Sequence, residues 1–174
     1  TYVQDQLTYN NSVKLTDWPT IPTVWGGLGT GVTFWATTTD STTSFSFTTY
    51  PKGTFYVDWG DGEIEVGTNT GAKQYSHPYK TPGEYTIRMG ANPTKYSSLA
   101  PLSISFADNL NLAKIEGSLG KMFPKLSDGT QPIFWETFLG CTNLQGPIPA
   151  DLFSGIDSAP VEAMFGATFS GCTG

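Results

Sequence analysis

Between residues 32 and 90, apolar and polar side chains alternate with a period of two. Val32, Phe34 and Ala36 alternate with Thr33, Trp35 and Thr37. Phe45 and Phe47 are set among Ser44, Ser46 and Thr48, and Phe55 and Val57 alternate with Tyr56 and Asp58. Ile64 and Val66 alternate with Glu63 and Glu65, and Tyr85, Ile87 and Met89 with Thr86 and Arg88. Such runs predict half-buried strands. Glycine accepts the positive φ of tight hairpin turns, so Trp59-Gly60-Asp61-Gly62 predicts a hairpin. Thr81-Pro82-Gly83 predicts a second turn. Residues 31–92 therefore read as a β-sandwich.

The pattern then changes. Asn92-Pro93 predicts a loop, and residues 93–105 read as a linker. FWETFLGCT at 134–142 returns as FGATFSGCT at 165–173, 31 residues later. A recurrence at this period is the mark of a stacked repeat array. Phe134, Thr137, Phe138 and Cys141 fall at helical spacing. Pro132 suits the first turn of that helix, and Gly140 suits its end. Leu144 to Pro149 then reads as extended, with a short helix from Asp151 to Phe153. Phe106 to Leu112 lines up with Phe138 to Leu144, which makes a degenerate first copy. Residues 106–174 thus predict a short α/β solenoid. A solenoid repeat does not bury its apolar face alone, so further repeats are expected after this one. Residues 1–30 show no sustained period. They read as an N-terminal extension, either a linker or a strand exchanged with a neighbour.

Composition narrows the function classes. Charged residues are only 14% of the chain, the net charge is −6, and there are nine Lys plus Arg. That excludes the basic patch of a nucleic-acid binder. No apolar run is long enough for membrane insertion. Cys141 and Cys172 occupy equivalent repeat positions. They read as small buried residues stacked in a ladder, with a disulfide between repeats as the other reading.

The chemistry of an enzyme is missing. His77 is the only histidine, and no nucleophile elbow surrounds a serine. One His and two distant Cys make no zinc grid. Asp58, Asp61, Glu63 and Glu65 form an acidic cluster. Asp58, Asp61 and Glu63 are a weak calcium candidate, and carboxylates bonding turn amides are the preferred reading. Trp18, Trp25, Tyr56 and Trp135 are candidate ligand or interface aromatics. No catalytic residue and no cofactor is expected.

Two resemblances follow from these motifs. Val57-Asp58-Trp59-Gly60-Asp61-Gly62, His77-Pro78-Tyr79 and Pro82-Gly83-Glu84-Tyr85-Thr86-Ile87 resemble the PKD (polycystic kidney disease) domain, an immunoglobulin-like sandwich. Phe138, Gly140, Cys141, Thr142, Leu144, Ile148 and Pro149, with the equivalent Phe169 and Cys172, resemble BspA-like leucine-rich repeats. The first resemblance implies a structural role for His77. Together they imply an extracellular, cell-surface protein without catalysis. Its expected partner is a host or neighbouring-cell surface protein or glycan. The other expectations are a subunit self-assembling into a filament, fimbria or surface layer, and an accessory carbohydrate-binding module of a secreted enzyme.

Overall fold

A computed structural model describes residues 32–97, 102–156 and 162–174. The fold is mainly β, with strands β1 (Phe34–Thr38), β2 (Thr42–Thr49), β3 (Lys52–Asp58) and β4 (Ile64–Asn69). They are followed by β5 (Lys73–Gly83), β6 (Thr86–Lys95), β7 (Ile104–Ser105), β8 (Leu112–Gly117) and a one-turn helix, α1 (Leu119–Met122). One antiparallel sheet has the order β4-β3-β6-β1-β8, and the other β5-β2-β7.

Strand alternation turns Phe34, Ala36, Phe55, Val57, Ile87 and Met89 of the first sheet toward Phe45, Phe47 and Tyr75 of the second. The two inner faces meet through rings: Phe55 lies 6.4 Å from Tyr75, and Phe47 lies 5.9 Å from Trp59. This is the packing of a β-sandwich. Between them, buried Asn69 donates to Thr49 Oγ1 and accepts from the Tyr75 hydroxyl, so three polar side chains satisfy one another.

The sheets run past the boundary expected at residue 92. β7 pairs with β2 from within the expected linker, and β8 pairs with β1 from within the expected first repeat. Leu112 and Ile115 of β8 both face the sandwich core, their odd spacing taken up by the register shift opposite Thr37 and Thr38. The loop expected at Asn92-Pro93 is also strand, because β6 continues through Pro93, opposite Gly53 at a register shift. The turn expected at Thr81-Pro82-Gly83 belongs to β5. Pro78 and Pro82 are tolerated there because β5 is the end strand of its sheet, where a missing N–H costs no ladder bond. On β4 the expected facing is reversed. Asp58 pairs with Ile64 and Tyr56 with Val66, so both apolar residues share the outward face and are each 38% exposed. Glu65 instead bonds Lys73 at 2.8 Å.

The recurring sequence is realised as stacked rungs. Phe106 stacks on Phe138 at 5.4 Å, and Phe138 on Phe169 at 5.1 Å; Phe134 stacks on Phe165 at 6.2 Å. Backbone bonds join the rungs: Phe106 and Asp108 donate to Thr137 and Leu139, and Phe134, Glu136, Phe138 and Gly140 to Met164, Gly166, Thr168 and Ser170. Met122 and Phe123 of the degenerate first copy are buried in the same core as the strands.

The helix expected between Pro132 and Gly140 does not form. Its residues make overlapping turns instead, with Thr137, Leu139 and Cys141 each donating to the carbonyl three residues back. Positive φ at Glu136 (53°) and Gly140 (68°) breaks helical geometry, and alternate N–H groups are diverted to the next rung. Phe134, Thr137, Phe138 and Cys141 are all fully buried, so the spacing of buried positions was helical while the backbone is not. Asp151 to Gly155 is likewise a turn, and no strand forms from Leu144 to Pro149. There, Gln145 N–H donates to Ala113 O on β8. An α/β solenoid of helices and strands is thus not what the described residues build.

Candidate functional site

The densest cluster of polar and aromatic groups surrounds the loop from β3 to β4. Gly60 and Gly62 take φ of 84° and 103°, which lets the chain reverse while Trp59 N–H bonds Glu63 O at 3.0 Å. Trp59 points inward and is 2% exposed. Its ring stacks on His77 at 5.0 Å, and Tyr79 meets His77 edge-on at 4.8 Å. The Tyr79 hydroxyl donates to Trp59 O at 2.9 Å, and Tyr79 stacks on Tyr85 at 3.7 Å. Burial holds the Tyr79 hydroxyl well above its ordinary titration range. Pro82 and Gly83 lie at the end of β5, ahead of Tyr85.

The acidic residues of this corner are engaged from within. Asp58 Oδ1 accepts from Gly60 N–H at 2.9 Å, and Asp58 Oδ2 lies 3.5 Å from Arg88 Nε, its cross-strand neighbour. Burial raises the Asp58 carboxyl above the usual range, with Arg88 and the Gly60 amide pulling the other way. Asp61 Oδ1 accepts from Glu63 N–H, and Asp61 Oδ2 lies 2.8 Å from His77 Nε2. Each of these four oxygens already has a partner. No group of three or more metal-ligating side chains occurs among the described residues. Sequence reasoning missed Arg88, whose pairing was readable only from the register of β3 and β6.

The thiols are equally unlike a nucleophilic site. Cys141 and Cys172 are free, and each donates at 3.1 Å to a carbonyl of the preceding rung, Phe106 O and Phe138 O respectively. Burial pushes the Cys141 thiol up to about 11 and raises Cys172 as well. A reactive cysteine needs the opposite shift.

The structure does not assemble the candidate aromatics into one platform. Trp18 and Trp25 lie outside the described residues. Tyr56 sits on the face of the first sheet that points away from the core, yet it is fully buried. Its ring covers Gly90 on the neighbouring strand, where an added Cβ would fall 2.0 Å from the ring. Trp135 is the exception, 40% exposed, with its Cδ1 and Nε1 atoms beside Gly166 of the next rung. It stands on the outer flank of the rungs, while Phe134 beside it points in.

A polar depression of about 280 Å³ lies where β2 and β5 meet the segment before β8, lined by Ser44, Ser46, Ser76, Asp108, Asn109 and Asn111. Asn109 and Asn111 donate their side-chain amides to Ser46 O and Ser44 O, both at 2.8 Å. Two asparagines two residues apart thereby cap carbonyls two residues apart on β2, a match visible in the sequence as Asn-Leu-Asn.

No known protein family, no curated protein and no solved structure matches the chain.

Proposed function

We propose that this is a non-enzymatic extracellular cell-surface protein that binds a surface protein or glycan. In this reading an immunoglobulin-like sandwich of the PKD type serves as the stalk, and a BspA-like repeat array carries the recognition surface. The observation that carries the proposal is the exposed flank of the rungs, where Trp135 remains 40% exposed beside fully buried Phe134 and Phe138. A half-exposed tryptophan on a backbone fixed by inter-rung bonds offers a rigid, amphipathic contact at low entropic cost. The internally paired acids and the raised thiols favour a binding role over a catalytic one.

The test is a binding screen of the purified protein against glycans and cell-surface proteins, paired with electron microscopy of the same sample. Dispersed particles with saturable binding support the adhesion reading. Regular polymers would replace it with the filament-subunit reading.

A further inference from the structure

The backbone bonds that stack the recurring segments 103–108, 134–140 and 164–170 run in one sense, while outside those segments Gln145 N–H of the second rung donates back to Ala113 O. Ser103, Phe106 and Asp108 of the first rung donate to carbonyls of the second. Phe134, Glu136, Phe138 and Gly140 of the second donate to carbonyls of the third. For Phe106, Asp108 and the four donors of the second rung, the acceptor is the residue just before the donor's own equivalent. The third rung repeats the arrangement: its equivalent donors are Phe165, Ala167, Phe169 and Gly171. Their N–H groups find no acceptor among the described residues. The side chains tell the same story. Phe134 is fully buried while its equivalent Phe165 is 41% exposed. Phe138 and Cys141 are buried while Phe169 and Cys172 are only half-buried.

We propose that this open face is a docking surface for one further rung of the same motif, joined in cis as the second and third rungs are joined. The molecule itself shows the chemistry required of the occupant. It must present carbonyls at alternate residues to the four free N–H groups. It must also set aromatic rings over Phe165 and Phe169. A threonine hydroxyl donates to Phe134 O in the existing stack, and a cysteine thiol to Phe138 O. The corresponding donors of the new rung would reach Phe165 O and Phe169 O. A second copy of the chain is a poor occupant through this face, because facing rungs would set N–H against N–H. Growth of the stack is therefore one-directional. The first rung cannot extend the other way, since β7 within it is paired to β2 of the sandwich.

The test compares amide hydrogen exchange in this chain and in a chain extended after Gly174 by a copy of residues 144–174. In the unextended chain, Phe165, Ala167, Phe169 and Gly171 should exchange fast while Phe134, Glu136, Phe138 and Gly140 are protected. In the extended chain the first four should slow by about a hundredfold, as newly bonded amides do. Thiol alkylation should show Cys172 becoming as inaccessible as Cys141. Two results would overturn the proposal: no added protection in the extended chain, or protection of the four amides already present in the unextended monomer. Protection in the unextended chain that grows with protein concentration would overturn it too, by assigning the face to a second copy.

Discussion

Phe138 is the residue on which the rung stack should depend most. It is fully buried and is sandwiched between Phe106 at 5.4 Å and Phe169 at 5.1 Å, with Phe34 of β1 at 6.5 Å. Truncation to alanine removes the transfer energy of a whole buried ring and leaves a cavity with rigid walls on both sides. Buried Phe→Ala changes cost about 3–5 kcal/mol, and the ring contacts here place Phe138→Ala near the upper end, about 4 kcal/mol. Phe169 holds the equivalent position one rung out. It is half-buried and stacks on a single ring, Phe138. Half the transfer term and no closed cavity leave Phe169→Ala at about 1–2 kcal/mol. Urea unfolding of both variants, followed by circular dichroism, measures the two values. Equal losses, or a loss below about 2 kcal/mol for Phe138→Ala, would refute the claim that rungs and sandwich share one stacked core.

Other outcomes follow from the same geometry. Gly90→Ala should destabilise the fold by about 2 kcal/mol, because its Cβ would fall 2.0 Å from the Tyr56 ring; the loss should shrink in a Tyr56→Ala background, measured by thermal unfolding of both pairs. Tyr79→Phe should cost about 1–2 kcal/mol in the same assay, since it strands the buried Trp59 carbonyl while keeping the stack on Tyr85. Maleimide labelling of the folded protein at pH 8 should modify Cys172 before Cys141, with full labelling of both only on unfolding. The Cys141 thiol is raised from 9.0 to about 11, so its stabilising contribution is complete below pH 9 and is lost as pH rises through about 11.

Much of the sandwich could be read from residue order. Phe34, Phe45, Phe47, Phe55, Val57, Ile87 and Met89 face the core as period-two alternation demands. Ile64 and Val66 did not follow, because which face of an edge strand is buried depends on register with its neighbour. β8 was hidden for a related reason. Leu112 satisfies both a repeat alignment and a strand, and only the long-range pairing with β1 decides between them. The equivalences between copies were legible, since identical side chains meet across rungs. The backbone form was not. Buried positions three and four apart suit a helix and overlapping turns alike, and the inter-rung bonds that tip the balance join residues about thirty positions apart. Trp135, one of the candidate interface aromatics, is 40% exposed. Tyr56 looked similar, but it is buried over a glycine of a strand far along the chain.

The most direct test of the binding account is a pair of isotherms, wild type and Trp135→Ala, against whichever glycan or surface protein the screen returns. Trp135 lies on an exposed flank, so the unfolding midpoint should barely move, with a stability change within about 1 kcal/mol. Binding should weaken tenfold or more, as loss of an anchoring aromatic does. Unchanged affinity in Trp135→Ala, at equal stability, would contradict the assignment of the rung flank as the recognition surface.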